Sequence, residues 1–209
     1  MKIGLSNVHH VPVWKFDDRA TFSLWNYRDA KIYEDVLRWE RQGSIDHVSI
    51  KGIELSYAKA KCLLSEWCVW RKYYLPPFSL NDKIVLDVGA GSGETAYFYL
   101  KHGANKVICI ENGAQHPEDL ECLYINKKKL NIEIYPESFK LEHLQLPHDF
   151  LKIDIDGGEE IMLDYDLSKL KPCIIEVESN ELTDKFIAKG FHIVRWLNKD
   201  LGLSIVGKW

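Results

Sequence analysis

A run of three alternate glycines is the part of this chain with the clearest chemical meaning. Gly89, Gly91 and Gly93 follow the apolar segment 83–88, and Asp87 lies just before them. Glycine lets the backbone turn sharply and approach a ligand without an intervening side chain, and free N–H groups at the start of a following helix favour an anionic group. The run therefore predicts a strand, a tight loop and a helix that bind a nucleotide-like ligand.

The spacing of these glycines argues against two common nucleotide ligands. In a dinucleotide fingerprint a third small residue comes three positions after Gly91, but this chain has Glu94 there, an acid where the pyrophosphate would lie. The chain also has no GxxxxGK[ST] segment, which forms the phosphate loop of proteins that bind nucleoside triphosphates. Both NAD and a nucleoside triphosphate are therefore disfavoured.

A second acid follows the next predicted strand. Glu111 comes directly after the apolar segment 106–110, about 20 residues beyond the glycines, where a carboxylate can bind both hydroxyls of a ribose. With Asp87 and the three glycines, this pattern resembles the class I S-adenosylmethionine-dependent methyltransferases, whose first motif is an acid followed by Gly-x-Gly-x-Gly. The resemblance implies S-adenosylmethionine as the cofactor.

The resemblance also implies a role for each matching residue. The backbone of residues 89–93 would hold the methionine part, Asp87 would organise its ammonium group directly or through water, and Glu111 would bind the ribose. The adenine would lie near Asn112 and the segment 137–139. The cofactor-binding residues expected on this basis are Asp87, Gly89, Ala90, Gly91, Gly93, Thr95, Glu111, Asn112, Glu137 and Ser138.

A third segment narrows the family. Residues 150–159 read FLKIDIDGGE, which is similar to the LKIDxEGxE segment of the FkbM-like methyltransferases, and the resemblance extends over residues 74–177. Two positions depart from the family pattern, since Asp156 replaces the usual Glu and Gly158 the usual Ala. FkbM-like enzymes are associated with O-methylation, so the resemblance implies a hydroxyl acceptor on a small or saccharide-like molecule.

Three charged residues on this segment are candidates for the chemistry. Alternate side chains of a strand lie on the same face, so a strand at 150–155 would place Lys152, Asp154 and Asp156 on one side. They would lie at the carboxyl end of the strand, where ligands bind in open α/β sheets. We expect Asp154 to orient the acceptor or take its proton, with Lys152 as its electrostatic partner and Asp156 or Glu159 next. A structural role of Asp156 and Glu159 at the start of a following helix stays open. A divalent metal held by Asp154 and Asp156 is a further alternative, but no other ligand converges in the sequence, so we predict no metal site.

Short apolar segments that alternate with helical ones predict the fold. We expect a doubly wound α/β fold of the class I methyltransferase, Rossmann-like type, with seven mostly parallel strands. Only residues 197–202 separate the last two strands, which is too short for a parallel crossover, so the last strand should be antiparallel. The expected strands are 83–88, 106–110, 132–135, 150–155, 173–177, 191–196 and 203–207, and the expected helices 94–102, 117–130, 159–170 and 181–189. The gap 137–149 looks short and irregular.

The segment before this domain is harder to interpret. Pro76 and Pro77 stop any preceding helix and suggest a boundary, with an α+β extension at 1–78 and the methyltransferase domain at 79–209. Helical spacing at 29–42 and 57–73 and alternation at 47–53 predict two helices and a strand. The extension could form a lid or acceptor wall, or a dimer interface. It carries five tryptophans that either pack onto the sheet or line the acceptor pocket: Trp14, Trp25, Trp39, Trp67 and Trp70.

Composition limits the classes of protein to which the chain could belong. The 209 residues are 46% apolar, enough for one globular domain with an appendage, and the net charge of −4 disfavours non-specific nucleic-acid binding. No stretch approaches the roughly 20 apolar residues that span a bilayer. Five scattered cysteines without a CxxC pair indicate free thiols. We therefore expect a cytoplasmic protein without membrane contact.

Three functions stay open at this point. The first is methylation of a small-molecule acceptor, and the second is methylation of RNA or another macromolecule, which a basic patch facing the cleft would favour. The third is a non-catalytic module that binds the cofactor without transferring a methyl group. The oligomeric state also stays open.

Overall fold

The N-terminal part of the chain forms two small antiparallel sheets and two helices. The structure, a computed structural model, describes residues 2–5, 12–15, 21–22, 27–42 and 47–209. The first small sheet has three strands and the second is a hairpin. In chain order the elements are β1 (Lys2–Leu5), β2 (Pro12–Lys15), β3 (Thr21–Phe22), α1 (Tyr27–Gln42), β4 (His47–Ile50), β5 (Ile53–Ser56) and α2 (Tyr57–Trp70).

A seven-stranded sheet makes up the rest of the chain and confirms the predicted fold class. Its elements are β6 (Ile84–Val88), α3 (Glu94–Lys101), β7 (Lys106–Ile110), α4 (Pro117–Asn126), β8 (Ile132–Tyr135), β9 (Phe150–Ile153), β10 (Cys173–Val177), α5 (Asn180–Ala188), β11 (His192–Asn198) and β12 (Leu203–Lys208). The order is β11-β12-β10-β9-β6-β7-β8, and β12 runs antiparallel to both of its neighbours. The chain reverses its direction of winding between β6 and β9, the position where open α/β sheets bind ligands.

Alternate residues of the central strands build two separate cores. Val85 of β6 and Phe150 of β9 pack on one face together with α3 and the N-terminal helices. Leu86 and Leu151, one position further along each strand, pack on the other face. Burial on both faces explains why these strands read as continuous apolar runs.

Three of the N-terminal tryptophans pack against the first of these cores. Trp70 is 2% exposed, and its ring meets the edge of Phe98 at 5.6 Å between centroids. Trp67 contacts the same ring at 5.2 Å, and Trp39 packs against the cluster from α1. The packing interpretation is therefore confirmed for these three, while the side chains of Trp14 and Trp25 lie outside the described residues.

Several predicted boundaries are wrong, and two of them affect the site. The strand expected at 150–155 ends at Ile153, because the chain leaves β6 after Asp154 and turns at Asp156, whose φ is 52°. The helix expected at 159–170 is a 3₁₀ helix, Glu159–Asp164. It stops because Asp166 accepts hydrogen bonds from the N–H and hydroxyl of Ser168, a local turn that competes with helical pairing.

The other differences lie at element ends. The expected strand at 47–53 is the hairpin of β4 and β5, in which Lys51 and Gly52 both adopt positive φ. The helices expected at 57–73 and 117–130 end three and four residues early, at the last residues of α2 and α4. The gap 137–149 contains a second 3₁₀ helix, Leu141–Gln145.

Asn126 ties the N-terminal hairpin to the sheet domain. Its amide nitrogen donates to the carbonyl oxygens of Glu54, at 2.7 Å, and Ser92, at 2.8 Å, while its amide oxygen accepts the Glu54 N–H at 2.8 Å. The side chain is fully buried. One residue at the end of α4 thus satisfies three backbone groups on two separate segments.

We expect Asn126→Ala to lower the free energy of unfolding by about 2–4 kcal/mol, because the substitution leaves buried backbone groups without partners. Urea denaturation would measure this. The matched control is Asn131→Ala, which removes a single exposed hydrogen bond to Asn105 and should cost about 1 kcal/mol or less. Equal losses in the two variants would contradict the role of Asn126.

Candidate active site

A cavity of about 360 Å³ lies at the carboxyl ends of β6 and β9. It is bounded by the loop after β6, the ends of β7, β9 and β10, and one face of α2. Eight of the fourteen site residues expected from the sequence line it: Gly89, Thr95, Glu111, Asn112, Glu137, Ser138, Asp154 and Asp156. The residues expected from the sequence and the lining of this cavity thus overlap at eight positions.

The glycine loop requires its glycines for conformation and for space. Gly89, Gly91 and Gly93 have φ values of 72°, 54° and 91°, which side chains disfavour. A Cβ at Gly89 would overlap the carbonyl oxygen of Asp154, and one at Gly91 would lie 2.7 Å from Cε of Lys59. The loop can thus pass close to both neighbours while leaving the cavity open.

Glu111 lies where an acidic residue that binds the ribose is expected. Its Oε2 accepts the Gly91 N–H at 2.9 Å and its Oε1 accepts the Gly113 N–H at 2.8 Å, which fixes the carboxylate at the cavity wall. Each carboxylate oxygen has a second lone pair that can accept a hydroxyl. Beside it, Asn112 donates to the hydroxyl of Ser138 at 3.1 Å, which joins the loops after β7 and β8.

Asp87 and Lys152 form a buried network beneath the cavity rather than part of its wall. The Lys152 ammonium lies 3.3 Å from Asp87 Oδ1 and 3.5 Å from Asp154 Oδ2, and it donates to the carbonyl oxygen of Gly89 at 2.9 Å. Thr95 donates its hydroxyl to Asp87 Oδ2 at 2.6 Å. Burial raises the pKa of the Asp87 carboxyl. Burial also lowers the pKa of Lys152, but the carboxylates of Asp87 and Asp154 outweigh this effect and raise the pKa of Lys152 above its usual range.

The other expected site residues that do not line the cavity have structural positions. Ala90, Gly91 and Gly93 shape the turn into α3. Glu159 is 1% exposed, and its carboxylate accepts the N–H groups of Ile155 and Gly157 at about 3.1 Å. This contact fixes the loop that carries Asp154 and supports the structural interpretation of Glu159.

One face of α2 supplies cavity residues that the sequence analysis missed. Lys59, Cys62, Glu66 and Trp70 recur at intervals of three and four residues, so they share a helix face that points into the cavity. Trp70 Nε1 donates to Glu66 Oε2 at 3.0 Å. The spacing was visible in the sequence, but the same helix also carries apolar residues at helical spacing, which concealed a polar face.

Two further missed residues come from the sheet domain. Glu176 interrupts the apolar strand β10, and its Oε2 accepts the hydroxyl of Tyr74 at 2.9 Å. Glu94 begins α3, is 4% exposed and also lines the cavity. The sequence signal for Glu176 was an acid within a buried strand. The signal for Glu94 was an acid at the position of a fingerprint glycine.

Burial governs the protonation of the cavity carboxylates. Burial, together with the charge of Asp154, raises the pKa of Glu176 to about 8. Burial raises the pKa of Glu94 to about 7 despite the opposing charge of Lys59. The pKa of Glu66 is also raised by burial. The cavity therefore exchanges protons near neutral pH.

Among the residues that the structure describes, no group of three or more His, Cys, Asp or Glu side chains could hold a metal ion. None of the described helices is long and apolar enough to cross a membrane. Three buried cysteines of the described residues, Cys109, Cys122 and Cys173, are free thiols.

Together, the fold, the glycine loop and the acids at the ends of β6 and β7 define a class I S-adenosylmethionine-dependent methyltransferase. Residues 70–203 match the model of the "Methyltransferase FkbM domain" family, so the chain belongs to that family. S-adenosylmethionine is accordingly its cofactor. The residues fit this group, since Glu111 has free lone pairs at the cavity and the Glu94 carboxylate has a buried oxygen without a hydrogen-bond partner.

Shorter matches link the chain to other methyltransferases. Over 79 residues it is 38% identical to the histone-arginine methyltransferase CARMER of Culex quinquefasciatus, and over 77 residues it is 42% identical to CARMER of Drosophila erecta. These matches cover 37% and 36% of this chain but only 12% and 13% of those proteins. The chain thus matches about an eighth of their length.

Solved structures share the fold at low sequence identity. A precorrin-6y C5,15-methyltransferase of Geobacter metallireducens superposes with a TM-score of 0.51 at 16% identity, covering 79% of this chain and 97% of that one. Fibrillarin of Aeropyrum pernix, solved with bound S-adenosyl-L-methionine, gives a TM-score of 0.49 at 13% identity, covering 99% and 97%.

We expect Glu111→Ala to weaken S-adenosylhomocysteine binding about 10- to 100-fold, because a charged acceptor for two hydroxyls is lost. Titration calorimetry would measure the dissociation constant. Glu133→Ala, which removes a partly exposed glutamate of the outer strand β8 that pairs with Lys106, is the control and should bind as the wild type does. Unchanged binding in Glu111→Ala would refute its assignment to the ribose.

The raised pKa of Glu176 predicts a pH dependence of stability. Its pKa is about 8 in the folded protein and about 4.5 in the unfolded chain, so the folded state holds a proton that unfolding releases between these values. The contribution of Glu176 to the free energy of unfolding is therefore present at low pH and is lost as the pH rises toward 8. Urea denaturation at pH 5 and pH 8 should show a smaller loss of stability in Glu176→Gln than in the wild type. The exposed control Glu142→Gln should follow the wild type; equal pH dependence in Glu176→Gln and the wild type would contradict the assignment.

Proposed function

We propose that this protein methylates a hydroxyl oxygen of a small-molecule or saccharide-like acceptor. The observation that carries the proposal is that the carboxylate of Asp154 lines the same cavity as Glu111. A group that can accept the hydroxyl proton thus lies beside the residue that we expect to bind the ribose of the cofactor. Membership in the FkbM family supports oxygen as the accepting atom.

Asp154 is the residue that we assign to the acceptor. When bound, S-adenosylmethionine supplies an electrophilic methyl group on its sulfonium. Asp154 is held through Oδ2 by Lys152 and its side chain remains 32% exposed at the cavity, so it can accept a hydrogen bond from the acceptor hydroxyl. As the acceptor oxygen bonds to the methyl carbon and the carbon–sulfur bond breaks to leave S-adenosylhomocysteine, the hydroxyl proton would pass to this carboxylate. Lys152 is a positioning residue, because it is 1% exposed and acts through Asp154 and Gly89.

The N-terminal segment supplies the other side of the acceptor cavity. Glu66 and Trp70 of α2 and Tyr74 after it line the same cavity as Asp154. We therefore propose residues 1–78 as an acceptor wall on a methyltransferase domain of residues 79–209.

A basic acceptor is the second candidate. Glu66, Asp154 and Glu176 give the cavity three carboxylates, which suit an amine or guanidinium group. The matched relatives named as histone-arginine methyltransferases point to the same acceptor class. RNA is less favoured by this acidic lining, since phosphate groups would be repelled.

An acceptor screen with a labelled methyl donor distinguishes these functions. The panel would contain polyhydroxylated small molecules, amines, histone protein and RNA, and mass spectrometry would locate the methyl group on oxygen or nitrogen. Label on a small-molecule hydroxyl supports the proposal, and label on nitrogen or RNA overturns it. Saturable cofactor binding without transfer to any member would support a non-catalytic binding module instead.

We expect Asp154→Asn to lower kcat by about 10²- to 10⁴-fold, because the amide cannot take the proton, with less than about threefold change in cofactor affinity. Initial rates and calorimetry would separate the two effects. The matched control is Asp164→Asn, an exposed residue at the end of the 3₁₀ helix, which should retain full activity. Retention of wild-type turnover in Asp154→Asn would remove Asp154 from the mechanism.

A further inference from the structure

Lys59 of α2 reaches across the glycine loop to Glu94. Its ammonium lies 3.8 Å from Glu94 Oε1, and its Cε stands where a side chain at Gly91 would project. Both charged residues line the cavity beside Gly89 and Thr95. An N-terminal residue therefore meets the part of the site that surrounds the start of α3.

The two charges only partly satisfy one another. A separation of 3.8 Å is longer than a hydrogen bond, and Glu94 Oε2 is buried without a hydrogen-bond partner among the described residues. The side chain of Lys59 is still 31% exposed on the cavity side. Burying a carboxylate with one unpaired oxygen is costly, so this arrangement favours a ligand that brings a matching donor.

We infer that Lys59 and Glu94 bind the amino acid end of S-adenosylmethionine, Lys59 its carboxylate and Glu94 its ammonium group. A zwitterion presents one group of each sign, so it can pair with both residues at once and replace a loose contact by two charge-assisted ones. The glycine loop directly beneath leaves room for this end of the molecule. Because the role needs S-adenosylmethionine as the methyl donor, it rests on the proposed function.

This assignment changes which part of the chain builds the cofactor site. Lys59 lies outside residues 70–203, which match the family model, and Glu94 lies within them. The pair would thus join the N-terminal segment to the family domain through the ligand itself. On this assignment the N-terminal segment contributes to cofactor binding as well as to the acceptor side of the cavity.

Two ligands separate this role from a structural one. S-Adenosylhomocysteine carries the amino acid end, whereas 5′-methylthioadenosine has the same nucleoside and sulfur but no amino acid end. Calorimetry at pH 8 would compare both ligands with the wild type, Lys59→Met and Lys61→Met. Lys61 is the matched control, because it lies on the same helix and pairs with Glu40 rather than lining the cavity.

We expect Lys59→Met to weaken S-adenosylhomocysteine binding about 10- to 100-fold and to change methylthioadenosine binding less than about twofold. Lys61→Met should match the wild type for both ligands, and Lys59→Arg should restore most of the lost affinity. Glu94→Gln should also weaken S-adenosylhomocysteine selectively.

Three results would overturn the inference and leave the cofactor assignment standing. The first two are unchanged S-adenosylhomocysteine binding in Lys59→Met, and an equal loss for both ligands, which would indicate a structural effect on the cavity. A wild-type protein that binds methylthioadenosine as tightly as S-adenosylhomocysteine would also overturn it, while leaving the nucleoside site intact. A wild-type protein that binds neither ligand would overturn the cofactor assignment as well.

Discussion

The buried ammonium of Lys152 is the contact on which the site depends. It stands on the central strand β9, opposite Asp87 of β6, and it contacts the glycine loop through the Gly89 carbonyl and the segment after β9 through Asp154. A charge at this depth is tolerated only because it is paired and hydrogen-bonded, so removing one partner would leave the others uncompensated. Strand pairing between β6 and β9 therefore sets the distance between the glycine loop and the Asp154 carboxylate.

The order and type of the sheet elements could be predicted because apolar strands and polar loops alternate clearly after residue 80. Glu111 was found because it follows a strand at a spacing that places it beside the glycine loop. Asp154 was found from its strand, but the strand ends one residue before it, since the turn at Asp156 and the contacts of Glu159 reshape the chain there. These are interactions between nearby residues that periodicity does not encode.

The N-terminal contribution could not be predicted in the same way. Lys59 and Glu66 occupy one face of a helix that also carries apolar residues at helical spacing, and no motif marks them. These two side chains reach the cavity only because of where α2 packs. Aromatic packing of Trp67 and Trp70 on Phe98 sets that position. A polar helix face becomes a cavity wall only through that tertiary contact.

The link between the hairpin and the glycine loop has a thermodynamic consequence. Ser92 lies within the loop, and its hydroxyl accepts the N–H of Ser56 at 3.1 Å while its carbonyl accepts from Asn126. Local opening of the hairpin would therefore loosen the loop that holds the cofactor. By mass action, a ligand that binds only the ordered loop also suppresses this opening. A ligand of the glycine loop would thus stabilise the hairpin as well as the loop.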